Sequence, residues 1–177
     1  STGLYSQEDI GKGRLSGLVF GDYYYNLQRE PTVAGMNNVA YKGLEKMNGF
    51  QIRRVYLTYD HDVSEIFSGR IRLEADNATT DGNKFLVFLK EVNIKWTDIF
   101  EGSDLVLGLQ SPPTFAVSEA YWQNSFLEKT QLDLRQISPS SDLGISLHGN
   151  LWGNGVLKYW LMFGNGNGNS PEYDKHK

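Results

Sequence analysis

The sequence predicts an all-β fold on three observations. Successive segments alternate apolar and polar residues with period two. The ten tyrosines, nine phenylalanines and four tryptophans favour strands, and the links between segments alternate short and long. No segment carries a convincing helical period. Residues 67–77, FSGRIRLEADN, show the alternation most plainly. Phe67, Gly69, Ile71, Leu73 and Ala75 take one parity, and Ser68, Arg70, Arg72, Glu74 and Asp76 take the other. On a strand these two sets project from opposite faces, one oily and one charged.

The elements follow in order. RLSGLVFGDYYYN sets Leu15, Gly17, Val19, Gly21, Tyr23 and Tyr25 against Arg14, Ser16, Asp22, Tyr24 and Asn26. FQIRRVYLTYDH sets Val55, Leu57 and Tyr59 against Arg54, Tyr56, Thr58 and Asp60. In FLVFLKEVNIKW, Phe85, Val87 and Leu89 share a parity that Val92, Ile94 and Trp96 reverse, so a β-bulge is expected near Lys90 and Glu91. DLVLGLQ, DLGISLHGNLW and VLKYWLMF complete the set, with Leu105, Leu107, Leu109, Leu143, Ile145, Leu147, Leu151, Leu157, Leu161 and Phe163 on the oily side. This makes about seven strands of roughly eight to fourteen residues, longer than the usual five or six.

The links DVSE, TDIFEGS and GNG are short. Those around 28–48, 77–84 and 111–141 are longer. In an up-and-down meander alternate links share a rim, so one rim carries tight turns and the other long loops. That asymmetry marks outer-membrane barrels, whereas a Greek-key sandwich has no cause to produce it. Strand parity also demands odd hairpin loops between strands two and three and between six and seven. Three residues are expected in each, with Gly155 suited to the left-handed position.

Composition narrows the alternatives. There is no run of about 18 apolar residues, so no spanning helix is expected, but the negative mean hydropathy is compatible with a barrel whose lumen is polar. The absence of cysteine removes disulfides and thiolate metal sites. A net charge of -4 with scattered basic residues argues against nucleic acid as a partner. STGLYSQEDI shows no secretory signal, so the chain is expected to be mature or cytosolic. His61, His148 and His176 lack metal spacing, and no cofactor is expected. Glu74, Asp76, Glu119 and Glu128 are not paired as a glycosidase acid and base would be. FGNGNGNS opens no helix, so it reads as a loop and not a dinucleotide fingerprint, and NAT at 77–79 reads as a tight loop. No enzymatic activity is expected.

Two architectures fit one such strand: the oily face meets lipid in a barrel, or a second sheet in a β-sandwich. Seven strands without a crossover signal, together with the loop asymmetry, favour a transmembrane antiparallel up-and-down β-barrel. Tyr23, Tyr25, Tyr59, Trp96 and Phe163 lie towards the ends of oily runs, where aromatic girdles belong. Arg54, Arg70, Arg72, Lys90 and Lys95 then line a lumen as anion-binding candidates, beside Asp60, Glu74 and Asp76. A three-residue turn sets Arg54 opposite either Arg72 or Glu74. The first pairing would hold an anion between guanidiniums, and the second would form a ladder of ion pairs.

NGFQIRRVYLTYDHDVSEIFSGRIRLEAD, FLVFLKEVNIKW, LVLGLQSPPTF, EAYWQNSFLEKT, SSDLGISLHG and LKYWLMFGNGNGNSPE together resemble the amino-terminal half of the phosphate-selective porin O/P family and related bacterial porins. The resemblance runs from about residue 14 onward. Its most specific phrases are Gly-Phe-x-Ile-Arg-Arg, Gly-Leu-Gln-x-x-Pro and Asp-Leu-Gly. It implies a homotrimeric channel of the bacterial outer membrane, in contact with the lipid bilayer and lipopolysaccharide, passing small anions or sugars. Residues 1–177 would be one porin-type segment of a barrel of 14–18 strands, with a tail at 1–13, an inward-folded constriction loop at 111–141 and a polar external loop or truncated end at 164–177. Within the constriction loop, EAYWQNSFLEKT would form a short helix carrying Glu119, with Tyr121 and Trp122 packed to the wall and Lys129 close behind. Relatives often carry an arginine after the Tyr-Trp pair, where this chain has Ser125. A closed bacterial barrel needs an even strand number, so the chain reads as the front half of a longer porin.

The function expected is therefore passive diffusion of small hydrophilic solutes or anions. The alternative is a soluble β-sandwich binding carbohydrate through Tyr23, Tyr24, Trp122 and Trp152.

Overall fold

The computed structural model describes residues 11, 13–27, 46–77, 80–81, 84–151, 157–168 and 170. Most of the 1–13 tail, Trp152, the Gly155 turn, His176, most of the NAT stretch and the end of the 164–177 segment lie outside them. Seven strands, β1 (Gly13–Tyr25), β2 (Asn48–Asp62), β3 (Phe67–Asp76), β6 (Phe88–Phe100), β7 (Ser103–Gln110), β8 (Asp142–Leu151) and β9 (Leu157–Gly164), form one sheet. Their spatial order is β1-β2-β3-β6-β7-β8-β9 and every pairing is antiparallel, so the sheet is a meander without a crossover. It is open, with β1 and β9 at its edges. Between β3 and β6 stands a hairpin of β4 (Thr80–Asp81) and β5 (Lys84–Phe85). Helices α1 (Pro113–Tyr121) and α2 (Gln131–Leu134) interrupt the link from β7 to β8.

Bulges decide which side chains meet. Phe20 pairs with Arg54 but Gly21 pairs with Ile52, which leaves Arg53 as an extra residue on β2. The oily parity therefore switches from Phe50 and Ile52 to Val55, Leu57 and Tyr59, and Arg53 joins Arg54 on the polar side. Arg72 pairs with Glu91 and Leu73 with Leu89, so Lys90 is the extra residue at the expected second bulge. A third irregularity lies between Trp96 and Phe100, where Asp98 takes φ 54.

Several expectations need correction. The last pair of the β2–β3 hairpin is Asp62 with Ser68, leaving residues 63–67 between them, five and not three. The backbone N–H groups of Val63 and Ser64 both donate to the carbonyl of Phe67, which closes the wider turn. An odd loop is kept, so the parity argument holds while the register moves. Arg54 faces Asp76, not Arg72 or Glu74. The strand expected from Phe85 begins at Phe88, because Lys84 and Phe85 pair within the small hairpin. β6 runs through the expected TDIFEGS link to Phe100, and the turn is Glu101-Gly102, with Gly102 at φ 70.

The distribution of burial is inverted. Among the described residues the buried hydrophobic side chains are Val106 and Phe115, against twelve buried polar or charged residues. Leu57, Ile71 and Leu161 are 45%, 46% and 65% exposed. Besides this sheet, the described residues contain only the two-stranded hairpin, so the oily face has no second sheet against it. The polar face is concave. A cavity of about 790 Å³ is lined from β1 at Ser16, through Thr58, Arg70, Asn93 and Gln110, to His148 and Trp160 on β8 and β9.

Candidate functional site

The polar face is a connected lattice of unlike charges. The register sets Asp60 opposite Arg70, and Arg70 Nε donates to Asp60 Oδ1 at 2.6 Å. Arg14 reaches the other oxygen of Asp60 at 3.2 Å. Glu91, delivered inward by the Lys90 bulge, takes Arg70 at 3.6 Å and Arg72 at 3.2 Å. Arg72 Nε also donates to Thr58 Oγ1 at 2.9 Å. Lys95 meets Asp104 at 3.3 Å. Thus Arg70, Arg72 and Lys95 face the cavity already neutralised. The two-arginine anion pocket does not form in this register, since Arg72 lies across from Thr58. Unlike pairs form instead, because opposite charges directly across a ladder are favoured and like charges are not.

At the long-loop rim, segment 111–141 lies on this face. Arg53 pairs with Asp22 at 2.8 Å through Nε, and its terminal nitrogens donate to the carbonyls of Phe126 and Leu127. Arg54 Nη2 donates to the carbonyl of Ser125 at 2.8 Å and stands 4.7 Å from the Phe20 ring centre. Two adjacent arginines on one face, which only a bulge permits, therefore hold three consecutive carbonyls. Lys129 Nζ reaches Asp76 Oδ2 at 3.3 Å. Lys90 Nζ sits 2.8 Å from Glu74, donates to Ser140 Oγ at 2.6 Å and lies 5.6 Å from the Phe115 ring centre. Ser111 Oγ bridges Glu91 Oε1 and the carbonyl of Ser140, at 3.1 and 3.2 Å. Both ends and the middle of the segment are thereby tied to β2, β3 and β6.

The helix inside this segment falls earlier than expected. Pro113 occupies its first turn, where a missing N–H costs nothing, and α1 ends at Tyr121. Phe115 and Glu119, four apart, share the face towards the sheet, and Phe115 is the buried anchor. Tyr121 does not pack against the wall: it is 83% exposed, because it falls on the opposite side of α1. Trp122 follows the helix and donates from Nε1 to the carbonyl of Glu128 at 2.8 Å, so it braces the loop internally. Thr130 caps α2, accepting from the Asp133 N–H at 3.3 Å.

Arg53, Glu91, Asp104 and Phe115 are site residues that the sequence reading missed. For Arg53 the signal was present, since Phe50 and Ile52 are even while Val55, Leu57 and Tyr59 are odd, the same slip that exposed the Lys90 bulge. Glu91 lay inside a recognised slip. Asp104 and Phe115 carry no such mark. Among the described residues no three metal-ligating side chains cluster.

Glu119 lines the cavity, and its carboxyl group has no hydrogen bond or ion pair among the described residues. Burial raises its carboxyl above the ordinary 4.5, with Arg54 and Lys90 opposing and Asp133 and Glu74 reinforcing the rise. An acid whose value is raised on docking binds its proton more tightly when docked, so docking gains as pH falls through the raised value, and the gain is complete below 4.5. Protease protection of residues 122–130 is expected to rise on acidification across that window, and Glu119→Gln should show the acid-level protection already at neutral pH. Protection that is flat with pH in both proteins would show that Glu119 does not couple to docking.

Comparison with protein-family models, curated proteins and solved structures returned no match, so the lattice and its docked loop stand on this chain's own geometry.

Proposed function

We propose that this sheet is part of the wall of a transmembrane β-barrel that passes small hydrophilic solutes by passive diffusion. One observation carries the reading: on the five inner strands, β2, β3, β6, β7 and β8, the polar face holds the buried residues, while the apolar face is open along the whole sheet. Soluble monomers rarely show contiguous apolar patches above a few hundred Å². Lipid is the solvent that suits such a face, and a water-filled lumen suits the lattice behind it. The exposed aromatics support this. Tyr23 and Phe50 meet edge-on with ring centres 5.2 Å apart at the long-loop end, while Tyr59 and the Phe67–Trp96 pair mark the other. Eight regular steps from Phe50 to Tyr59, at about 3.3 Å each and tilted by about 40°, give roughly 20 Å, close to the roughly 25 Å apolar band of such barrels.

Open strand edges in hydrocarbon cost several kcal/mol for each unpaired group, so β1 and β9 pair with further strands in the membrane. The bacterial outer membrane, a barrel of 14–18 strands, a trimeric assembly and contact with lipopolysaccharide follow from the resemblance to phosphate-selective porins and belong to this proposal. The pore wall is charge-balanced, so weak ion selectivity is expected in place of a strong anion preference. Segment 111–141 narrows the passage.

The protein should require detergent for extraction, change gel mobility on boiling and conduct in planar bilayers. Free solubility as a monomer in plain buffer would refute the reading. A substitution sharpens the test. Leu107, 60% exposed on β7, is flanked by Ile94 and Ile145. Leu107→Arg should cost about 2–4 kcal/mol of folding stability in lipid vesicles if it sits near mid-bilayer, and well under 1 kcal/mol if that face meets water.

A further inference from the structure

The tight-turn end of β8 and β9 breaks the pattern of the lattice. On the polar face Asp104 pairs across to His148 and His148 to Trp160, while Asn150 pairs with Lys158 one step towards the turn. The His148 and Trp160 rings are 5.0 Å apart, tilted by 32°. Every strand arginine and lysine described above has an acid or carbonyl partner, whereas the Lys158 ammonium has none among the described residues. The Asn150 side-chain amide is likewise unpartnered among the described residues, and there the buried Trp160 Nε1 donates to nothing. These groups line a recess of about 840 Å³ that Val117 of α1 and Leu132 of α2 border from the loop side.

We propose that this recess binds a pyranose ring bearing an anionic substituent, a carboxylate or a phosphate, as a permeant pausing in the channel; the permeant role rests on the channel reading, the binding does not. Neighbouring positions stand about 4.8 Å apart across strands and about 6.6 Å along one, the scale of a sugar ring. The Trp160 plate with His148 offers an apolar stacking surface beside a few convergent polar groups. Asn150 supplies both donor and acceptor for a hydroxyl, and Asp104 has acceptor capacity left beyond Lys95 and the Asp98 N–H. Lys158, without an acid partner among the described residues, takes the anion. Inorganic phosphate has no face to stack, and a neutral sugar leaves Lys158 unmatched.

Isothermal calorimetry on the detergent-solubilised protein tests this with glucuronate, glucose 6-phosphate, glucose and inorganic phosphate. Both anionic sugars should bind at least about tenfold more tightly than glucose or phosphate, the scale of one hydrogen bond to a charged group. Lys158→Gln should reduce the anionic sugars to the level of glucose, and Trp160→Leu should abolish binding of all three sugars. An unchanged far-ultraviolet circular dichroism spectrum would certify that each variant is folded. Absence of sugar binding, equal affinity for glucose and glucuronate, phosphate binding as tightly as the sugars, or binding unchanged in Trp160→Leu would each overturn the site. Failure of the channel reading shows separately, as no conductance in planar bilayers whatever the calorimetry gives.

Discussion

Replacing Arg53 and Arg54 together by alanine should free segment 111–141 from the sheet and, on the channel proposal, raise single-channel conductance. The two guanidiniums make three hydrogen bonds to the consecutive carbonyls of Ser125, Phe126 and Leu127, and Arg53 also neutralises Asp22. Hydrogen bonds to charged donors contribute about 1.5–3 kcal/mol each, and the set acts as a unit, so the loss is on the order of 4 kcal/mol. That is roughly a thousandfold in the docking equilibrium. Residues 122–130 should become cleavable by added protease in parallel. Lysine at both positions keeps the charge but lacks the planar fork, and should fall between the two. Unchanged conductance together with unchanged protection would show that the Lys129–Asp76 and Lys90–Ser140 links suffice, and that the Arg53 bulge has no part in shaping the passage.

The second large effect is expected at Lys90 and Glu74, the most deeply buried ion pair described, with side chains 9% and 2% exposed at 2.8 Å. Lys90→Met leaves the Glu74 carboxylate without its partner away from water. Breaking such a pair from one side costs about 3–5 kcal/mol, far more than the pair contributes beyond an apolar replacement. Unfolding by urea in detergent micelles should show that loss for the single variant. Glu74→Leu combined with Lys90→Met should recover most of it, because no uncompensated charge remains. If the single variant lost less than about 1 kcal/mol, water would be reaching Glu74 and the pair would belong to the solvated wall.

These two sites also show where reading the chain alone stops. The Lys90 bulge was legible because a strand's oily residues change parity only when a residue is inserted, and FLVFLKEVNIKW changes parity once. The Arg53 bulge left the same mark between Ile52 and Val55, but the short run before it, Phe50 and Ile52, is easily taken for the ragged start of a strand. The register of β2 on β3 was legible only as far as its parity. Parity admits any odd loop, and a five-residue turn moves Arg54 from Arg72 or Glu74 to Asp76. The placement of the helix suffered differently: a short helix was expected over EAYWQNSFLEKT, whereas Pro113 starts the helix six residues before Glu119 and turns Tyr121 to the opposite side.

By itself the sequence determined the seven strands of the main sheet, the antiparallel meander, the two faces of these strands away from the Arg53 bulge and the division into a tight rim and a long-loop rim. Each of these follows from local periodicity and link length, which neighbouring residues along the chain specify. Only the tertiary structure decided which charges neutralise one another, that Arg53 and Arg54 grip loop carbonyls, and that Lys158, beside Trp160, has no acid partner among the described residues. Those outcomes depend on pairing offsets between distant strands and on where a thirty-one-residue segment, 111–141, settles over the sheet. A single added residue in a turn or bulge rearranges them while leaving every strand's alternation intact.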